Sequence, residues 1–338
     1  MKQLVCLEPG KFKMKDVVKP SRKEGCALIK IQRIGICGTD LHAFEGTQPF
    51  FSYPRVLGHE LSGEIVELDN EDDGFVVGEK VTFIPYYPCH DCVACRNGKP
   101  NCCTNIQGAG VHIDGGMVEY LNVPQYALIH GQGMGYDELA MVEPMAIGAH
   151  AVRVSEIKED EFVIVTGAGP IGLGAMAFAK IKGAKVIALD VQDSRLAFAK
   201  ENFGADYVVN VLNNPVETVK EITDGDMVTT IIDATGNKRA IEGSLDYLAH
   251  GGKITMVGLQ LEKFSFAHPE FHKRETTLRS SRNATREDFD HVIDSMKSGK
   301  VNVKPLITHR SSFSNLVDNF SSWLNPETGV VKAVVDLD

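Results

Sequence analysis

The chain has 338 residues, 43% hydrophobic and 24% charged, which suits about two folded domains and excludes a disordered chain. A formal net charge of −10 argues against a general polyanion binder, so neither nucleic acid nor anionic membrane is an expected partner. No apolar run approaches the ~18–20 residues of a membrane span, and the first residues lack a signal-type apolar region, so a reducing, cytoplasmic location is expected.

Lys2–Leu7 and Ala27–Gly35 alternate like strands between glycine and proline breaks, and Ser62–Leu68 and Lys80–Pro85 continue the pattern. They predict an irregular β-rich domain over residues 1–145. Pro144–Val154 has helical spacing of apolar residues. From there the texture changes. The apolar runs Phe162–Thr166, Lys185–Asp190, Tyr207–Asn210, Thr229–Asp233 and Lys253–Gly258 read as buried strands. The first two are followed by helices, Ile171–Lys182 and Ser194–Phe203. This alternation predicts an α/β, doubly wound parallel sheet over residues 146–294. Glu287–Ser298 is again helical, and the last strand candidate, Val330–Asp336, is expected to return with residues 295–338 to the first domain.

Val163–Thr166 runs into Gly167-Ala168-Gly169-Pro170-Ile171-Gly172, a G-x-G-x-x-G between a strand and a helix. Gly167 suits the tight turn, Gly169 the close approach of a pyrophosphate, and Gly172 the packing of helix on strand. The phosphates would meet free N–H groups at the helix start. Asp190 ends the next strand, where a carboxylate accepts from the ribose 2′-hydroxyl and repels a 2′-phosphate, so NAD is expected rather than NADP. Arg195 is open between holding that ribose and being a solvated helix charge.

Five of the eight cysteines fall between Cys89 and Cys103. Cys89-x2-Cys92-x2-Cys95-x7-Cys103 offers four thiolates, which suit tetrahedral zinc and leave no open position, as in a structural site. An iron–sulfur cluster is the competing reading, and Cys102 could replace its neighbour Cys103. A second, dispersed set comprises Cys37 in Gly35-Ile36-Cys37-Gly38-Thr39-Asp40-Leu41-His42, His59 and Glu60 in Gly58-His59-Glu60, and Glu143. Cysteine, histidine and one carboxylate would leave a fourth position open, the arrangement of catalytic zinc. Taken alone, each residue is better read as a core or surface side chain; their co-occurrence with the thiolate lobe and the nucleotide loop is the signal.

Taken together, these motifs resemble those of the zinc-dependent medium-chain dehydrogenase/reductase family, near its sorbitol and threonine dehydrogenase branch, in the same order and over essentially the whole chain. The resemblance implies a GroES-like β-rich catalytic domain, a Rossmann domain binding NAD, an active site in the cleft, two zinc ions per chain and a homo-oligomer, dimer or tetramer. It implies Cys37 and His59 as catalytic zinc ligands, with Glu60 the usual third; Glu143 stands where classical alcohol dehydrogenases carry a ligand cysteine, so the third ligand is open between the two. Narrower stretches, Gln48–Glu60, Pro269–Thr277 and Ser281–Thr285, resemble bacterial L-galactonate and L-gulonate 5-dehydrogenases and imply oxidation of a sugar acid at C5. Thr39 and His42 are then the expected proton relay, with Asp40 orienting a ligand. Val257 and Leu259 (with Met256) are expected beside the nicotinamide or the sheet edge. Arg282 and Lys273 are candidate partners of a substrate carboxylate, and Phe50, Phe51 and Tyr53 candidate pocket walls. A threonine- or sorbitol-type dehydrogenase and a non-catalytic NAD-binding zinc protein are the alternatives.

Overall fold

The computed structural model describes residues 1–49, 51–70 and 73–337. Met1–Pro144, Thr285–Gly299 and Val303–Asp338 form one unit; Met145–Ala284 and Lys300–Asn302 form the other. Among the described residues, no helix is long and apolar enough to cross a membrane.

The first unit is organised by Cys26–Ile36, an 11-residue strand whose Ile29, Ile31 and Ile34 are fully or almost fully buried. Branched side chains favour the extended chain here. In spatial order the sheet runs Ile307–Ser312, Lys332–Asp336, Cys26–Ile36, Glu60–Glu67, Lys80–Phe83, Leu128–His130, and Tyr120–Pro124 also pairs with Cys26–Ile36. The C-terminal strand lies antiparallel to Cys26–Ile36 with Ala333 opposite Ile36, which brings Lys332 to the residues just before Cys37. Leu57, Leu61, Ile65, Phe83 and Phe320 fill the core beneath.

The second unit holds six parallel strands: β1 (Phe162–Thr166), β2 (Lys185–Asp190), β3 (Tyr207–Asn210), β4 (Val228–Asp233), β5 (Leu248–Met256) and β6 (Thr277–Ser280). Their order is β3-β2-β1-β4-β5-β6. The order reverses between β1 and β4, and ligands of such sheets bind beyond the strands' carboxyl ends at that point.

The structure adds to or departs from the sequence pattern at three places. After Gly35 the chain enters a helix, Gly38–Glu45, with the Cys37 N–H donating to Asp40 Oδ2 (3.0 Å) at its start. The expected limit at residue 294 is misplaced. The helix Arg286–Lys297 belongs to the first unit, because Phe289 sits fully buried with its ring edge-on to Tyr86 and the Arg286 guanidinium donates to the Tyr126 and Leu128 carbonyls. Finally, β6 escaped the sequence reading; as an edge strand of composition Thr-Leu-Arg-Ser it has no buried apolar run.

Candidate active site

At the end of the Cys26–Ile36 strand, ligand atoms of Cys37, His59 and Glu60 all lie within 4.8 Å of one another. Zinc–ligand distances of ~2.0–2.3 Å imply tetrahedral edges of about 3.3–3.8 Å, so a small closure suffices. Asp40 fixes the arrangement. It is fully buried, and its two oxygens accept from the N–H of Cys37 and of Gly58, each at 3.0 Å. One carboxylate therefore ties together the two segments that carry the donors. Gly35 makes room, since a Cβ there would run into the Glu60 carboxylate.

The pocket is chemically built for a cation. His59 Nδ1 is buried with no hydrogen-bond partner, and Asp40 Oδ1 stands 3.7 Å away. Burial alone would lower the His59 pKa, yet Asp40 and Cys37 outweigh it and hold the ring well above its usual value. Donor set, orphaned nitrogen and surplus anions all fit zinc. Glu143 shares the pocket but not the converging set. Tyr86 donates to its Oε1 at 2.8 Å, and burial, partly offset by His59, pushes its pKa up to about 7.

Two participants escaped the sequence reading. Lys332, 2% exposed, places Nζ 2.6 and 2.7 Å from the oxygens of Glu60, itself 1% exposed, and donates to the Ile36 carbonyl at 3.1 Å. Its signal was visible as a lone lysine inside the apolar strand Val330–Asp336, a residue type almost never buried unless paired. Tyr86 carried no comparable signal.

In the lobe, the Sγ atoms of Cys89, Cys92, Cys95 and Cys103 also lie within 4.8 Å of one another. The pairs Cys92–Cys95 and Cys89–Cys103 stand 3.5 and 3.4 Å apart, near a tetrahedral zinc edge and far from the ~2.05 Å of a disulfide. Backbone N–H groups of Cys89 and Asn105 donate to Cys103 Sγ, and that of Cys92 to Cys89 Sγ. Such bonds favour thiolates, and those from Cys95 and Thr104 pull Cys92 down to about 5. Cys102 is exposed and outside the set.

On the second unit, Gly167 takes φ +95°, and a Cβ on Gly172 would strike the Gly167 carbonyl. Gly169 precedes the helix Pro170–Ile181 and has open space above its Cα. At the end of β2, Asp190 accepts from the N–H of Ala168 (2.8 Å) and of Gln192 (2.9 Å), so the acid and the glycine loop are one structure. Arg195 sits half-buried on the helix Asp193–Asn202.

Other expected residues disperse. Thr39 and His42 lie one turn apart on Gly38–Glu45. His42 Nδ1 stands 3.2 Å from Thr47 Oγ1 and 3.4 Å from the Glu45 carboxylate. Lys273 is paired with Glu270 at 2.8 Å. Arg282 is exposed. Val257 donates its N–H to the Asp233 carbonyl (2.8 Å), whereas Leu259 is 71% exposed. Phe51 and Tyr53 pack on the first unit's core; Phe50 lies outside the described residues.

Residues 23–132 match the model of the alcohol dehydrogenase GroES-like domain, and residues 170–298 that of the zinc-binding dehydrogenases. The chain is 41% identical to the L-galactonate-5-dehydrogenase of Escherichia coli (strain K12), covering 99% of this chain and 98% of that one. It is 34% identical to the sorbitol dehydrogenase of Halalkalibacterium halodurans, covering 90% of each. Its fold superimposes on the crystal structure of the E. coli CFT073 short chain alcohol dehydrogenase rspB in complex with NADH, with a TM-score of 0.92, 31% identity and 99% coverage of both chains.

Proposed function

The chain belongs to the zinc-binding alcohol dehydrogenase family, and from that premise we propose that it oxidises the C5 hydroxyl of a sugar acid, L-galactonate or L-gulonate, to the keto acid, with hydride transfer to NAD. The observation that carries the chemistry is the convergence of Cys37, His59 and Glu60. The substrate class is supported by the similarity to L-galactonate-5-dehydrogenase along the whole chain.

Cys37, His59 and Glu60 are the residues that would hold the catalytic zinc, and Cys89, Cys92, Cys95 and Cys103 the structural one. When bound, the catalytic zinc supplies Lewis acidity toward the substrate hydroxyl and the nicotinamide takes the hydride. The protein's part is to hold, orient and move a proton. The Thr39 hydroxyl, two residues beyond Cys37, starts the relay of the substrate proton. His42, its side chain 63% exposed, releases that proton to solvent. Arg282 is the candidate partner of the sugar-acid carboxylate, as the better bidentate donor, with Lys273 second. NAD is favoured over NADP because Asp190, with two lone pairs committed to the loop, keeps others for a ribose hydroxyl.

The test is a substrate panel followed by NADH absorbance. L-galactonate or L-gulonate should be turned over well ahead of sorbitol and L-threonine; the reverse order would replace the sugar-acid reading with a polyol or amino-alcohol one. Cys37→Ser should abolish turnover while NADH still binds, and full activity in that variant would exclude the zinc mechanism.

A further inference from the structure

We propose that Tyr86 is a positioning residue for the catalytic metal, an inference that rests on the zinc reading above: its phenol holds the Glu143 carboxylate apart from Cys37, His59 and Glu60, so that the fourth coordination position stays open to substrate.

Glu143 is a fourth potential donor in this part of the first unit. It is 4% exposed and close enough to exchange electrostatic influence with His59 and Glu60. A carboxylate in such a place is a ready zinc ligand, and one more beside Cys37, His59 and Glu60 would complete a tetrahedron. Four-ligand sites are structural, whereas catalytic sites keep one position free. Yet Glu143 is not part of the set whose ligand atoms lie within 4.8 Å of one another.

A short chain of contacts keeps it apart. Tyr86 donates to Glu143 Oε1 at 2.8 Å. An ionised carboxylate can only accept, and a bond to a charged acceptor is among the stronger ones. The phenol has little freedom to follow the carboxylate elsewhere. Its backbone is paired, with Tyr86 opposite Gly108, and its ring meets the fully buried Phe289 edge-on, with centroids 6.3 Å apart. The backbone of Glu143 is fixed too, in the first turn of the helix Val142–Val154. Glu60 is tethered in the same manner with the opposite result. Lys332 Nζ, 2.6 and 2.7 Å from its oxygens, fixes Glu60 where it converges with Cys37 and His59; Tyr86 fixes Glu143 where it does not.

Tyr86→Phe isolates the tether. It deletes one oxygen and keeps the ring, and with it the contact to Phe289. The freed Glu143 side chain can then turn toward the cation. Adding Glu143→Gln keeps the shape of that side chain but removes its charge, and a neutral amide is a poor zinc donor. If Tyr86 were only a packing element, the second substitution would restore nothing.

The experiment exchanges cobalt(II) into the Cys37 site with zinc kept in the thiolate lobe, checked by elemental analysis as one ion of each per chain. Imidazole, which needs a free coordination position, is then titrated while the visible ligand-field bands of the cobalt are followed. Wild type should bind imidazole with a shift of those bands. Tyr86→Phe should bind it about tenfold or more weaker, the value of one charged hydrogen bond, and its bands should differ from wild type before any imidazole is added. The double variant Tyr86→Phe with Glu143→Gln should return to within about twofold of wild type, less than the effect of a single hydrogen bond. Glu143→Gln alone should keep the wild-type bands, because Glu143 is no ligand there. Unchanged imidazole affinity in Tyr86→Phe overturns the proposal, as does a loss that the double variant retains, which would indicate a structural phenol. Altered bands in Glu143→Gln, or a wild type that takes no imidazole, overturn it as well, since the fourth position would already be filled. A chain that takes up metal in the thiolate lobe alone overturns the zinc reading itself, and this inference with it.

Discussion

Replacing Lys332 by methionine should destabilise the first unit far more than an ordinary lysine substitution would. The ammonium makes two short contacts to Glu60 and one to the Ile36 carbonyl. At about 1.5–3 kcal/mol for a charge-assisted bond, the pair to Glu60 alone amounts to about 3–6 kcal/mol. Removing one partner of a buried ion pair costs about 3–5 kcal/mol by direct comparison, because the other charge is stranded. For a unit of this size that is a melting shift of about 6–20 °C. The readout is built in. Trp323, the only tryptophan in the chain, lies buried in the first unit against Phe320, so its fluorescence follows that unit. Lys332→Met should melt well below wild type in chelator. Added zinc should raise its melting point by more than it raises that of wild type, since the stranded carboxylate gains a cation. The double variant Lys332→Met with Glu60→Gln should recover much of the loss. A single variant within 2 °C of wild type, or no additional rescue by zinc, would refute the reasoning.

Other outcomes follow from separate parts of the molecule. Cys92→Ser should remove one zinc per chain, by elemental analysis, and leave NADH binding intact; an unchanged metal content would exclude the four-thiolate site. Asp190→Ala should lower the ratio of kcat/KM for NAD over NADP by about tenfold or more, the value of one charged hydrogen bond; an unchanged ratio would detach the acid from the ribose. Asp137 bonds Arg33 at 2.8 Å and also meets Arg310, which pairs with Asp336 at 3.0 Å. Burial works against its ionised form, but the two guanidinium groups prevail and hold its pKa below the usual carboxylate value. A depressed carboxyl contributes stability above its unfolded pKa and loses it as pH falls through the folded one. Wild type should therefore exceed Asp137→Asn by about 1 kcal/mol or less at neutral pH, given the exposure. In urea titrations that gap should close below about pH 4, and a gap that widens in acid would be the wrong sign.

The parts legible in the sequence were those whose chemistry is local. The nucleotide loop needs a strand, three glycines and a helix within a dozen residues, and the thiolate lobe needs four cysteines in one loop. Cys37 and His59 were legible only as separated candidates, because what joins them is Asp40, whose bond to Gly58 spans 18 positions. Lys332 lies 272 positions from Glu60; only the pairing of the last strand with Cys26–Ile36 brings them together. The edge strand β6 was silent for a different reason. Strand patterns are written by burial, and its Leu278 is 36% exposed. The helix Arg286–Lys297 was legible as a helix but not as part of the first unit, since an apolar stripe does not say which core it faces.

Glu60 and Glu143 differ in what neutralises them, and this separates their roles. Glu60 faces an ammonium, so protonating it would strand Lys332 in turn. Glu143 faces a phenol; burial and Glu143 itself hold Tyr86 well above its ordinary pKa, so that partner stays neutral. Of the two glutamates, Glu143 therefore holds a proton at the lower cost, consistent with burial pushing its pKa up to about 7. With a divalent cation bound, Cys37 thiolate, Glu60 and the buried Asp40 would together balance the cation and the Lys332 ammonium, so neutrality does not call on Glu143. The charge count and the convergence of donor atoms are consistent with the proposal of Glu60 as third donor, with Glu143 outside the set.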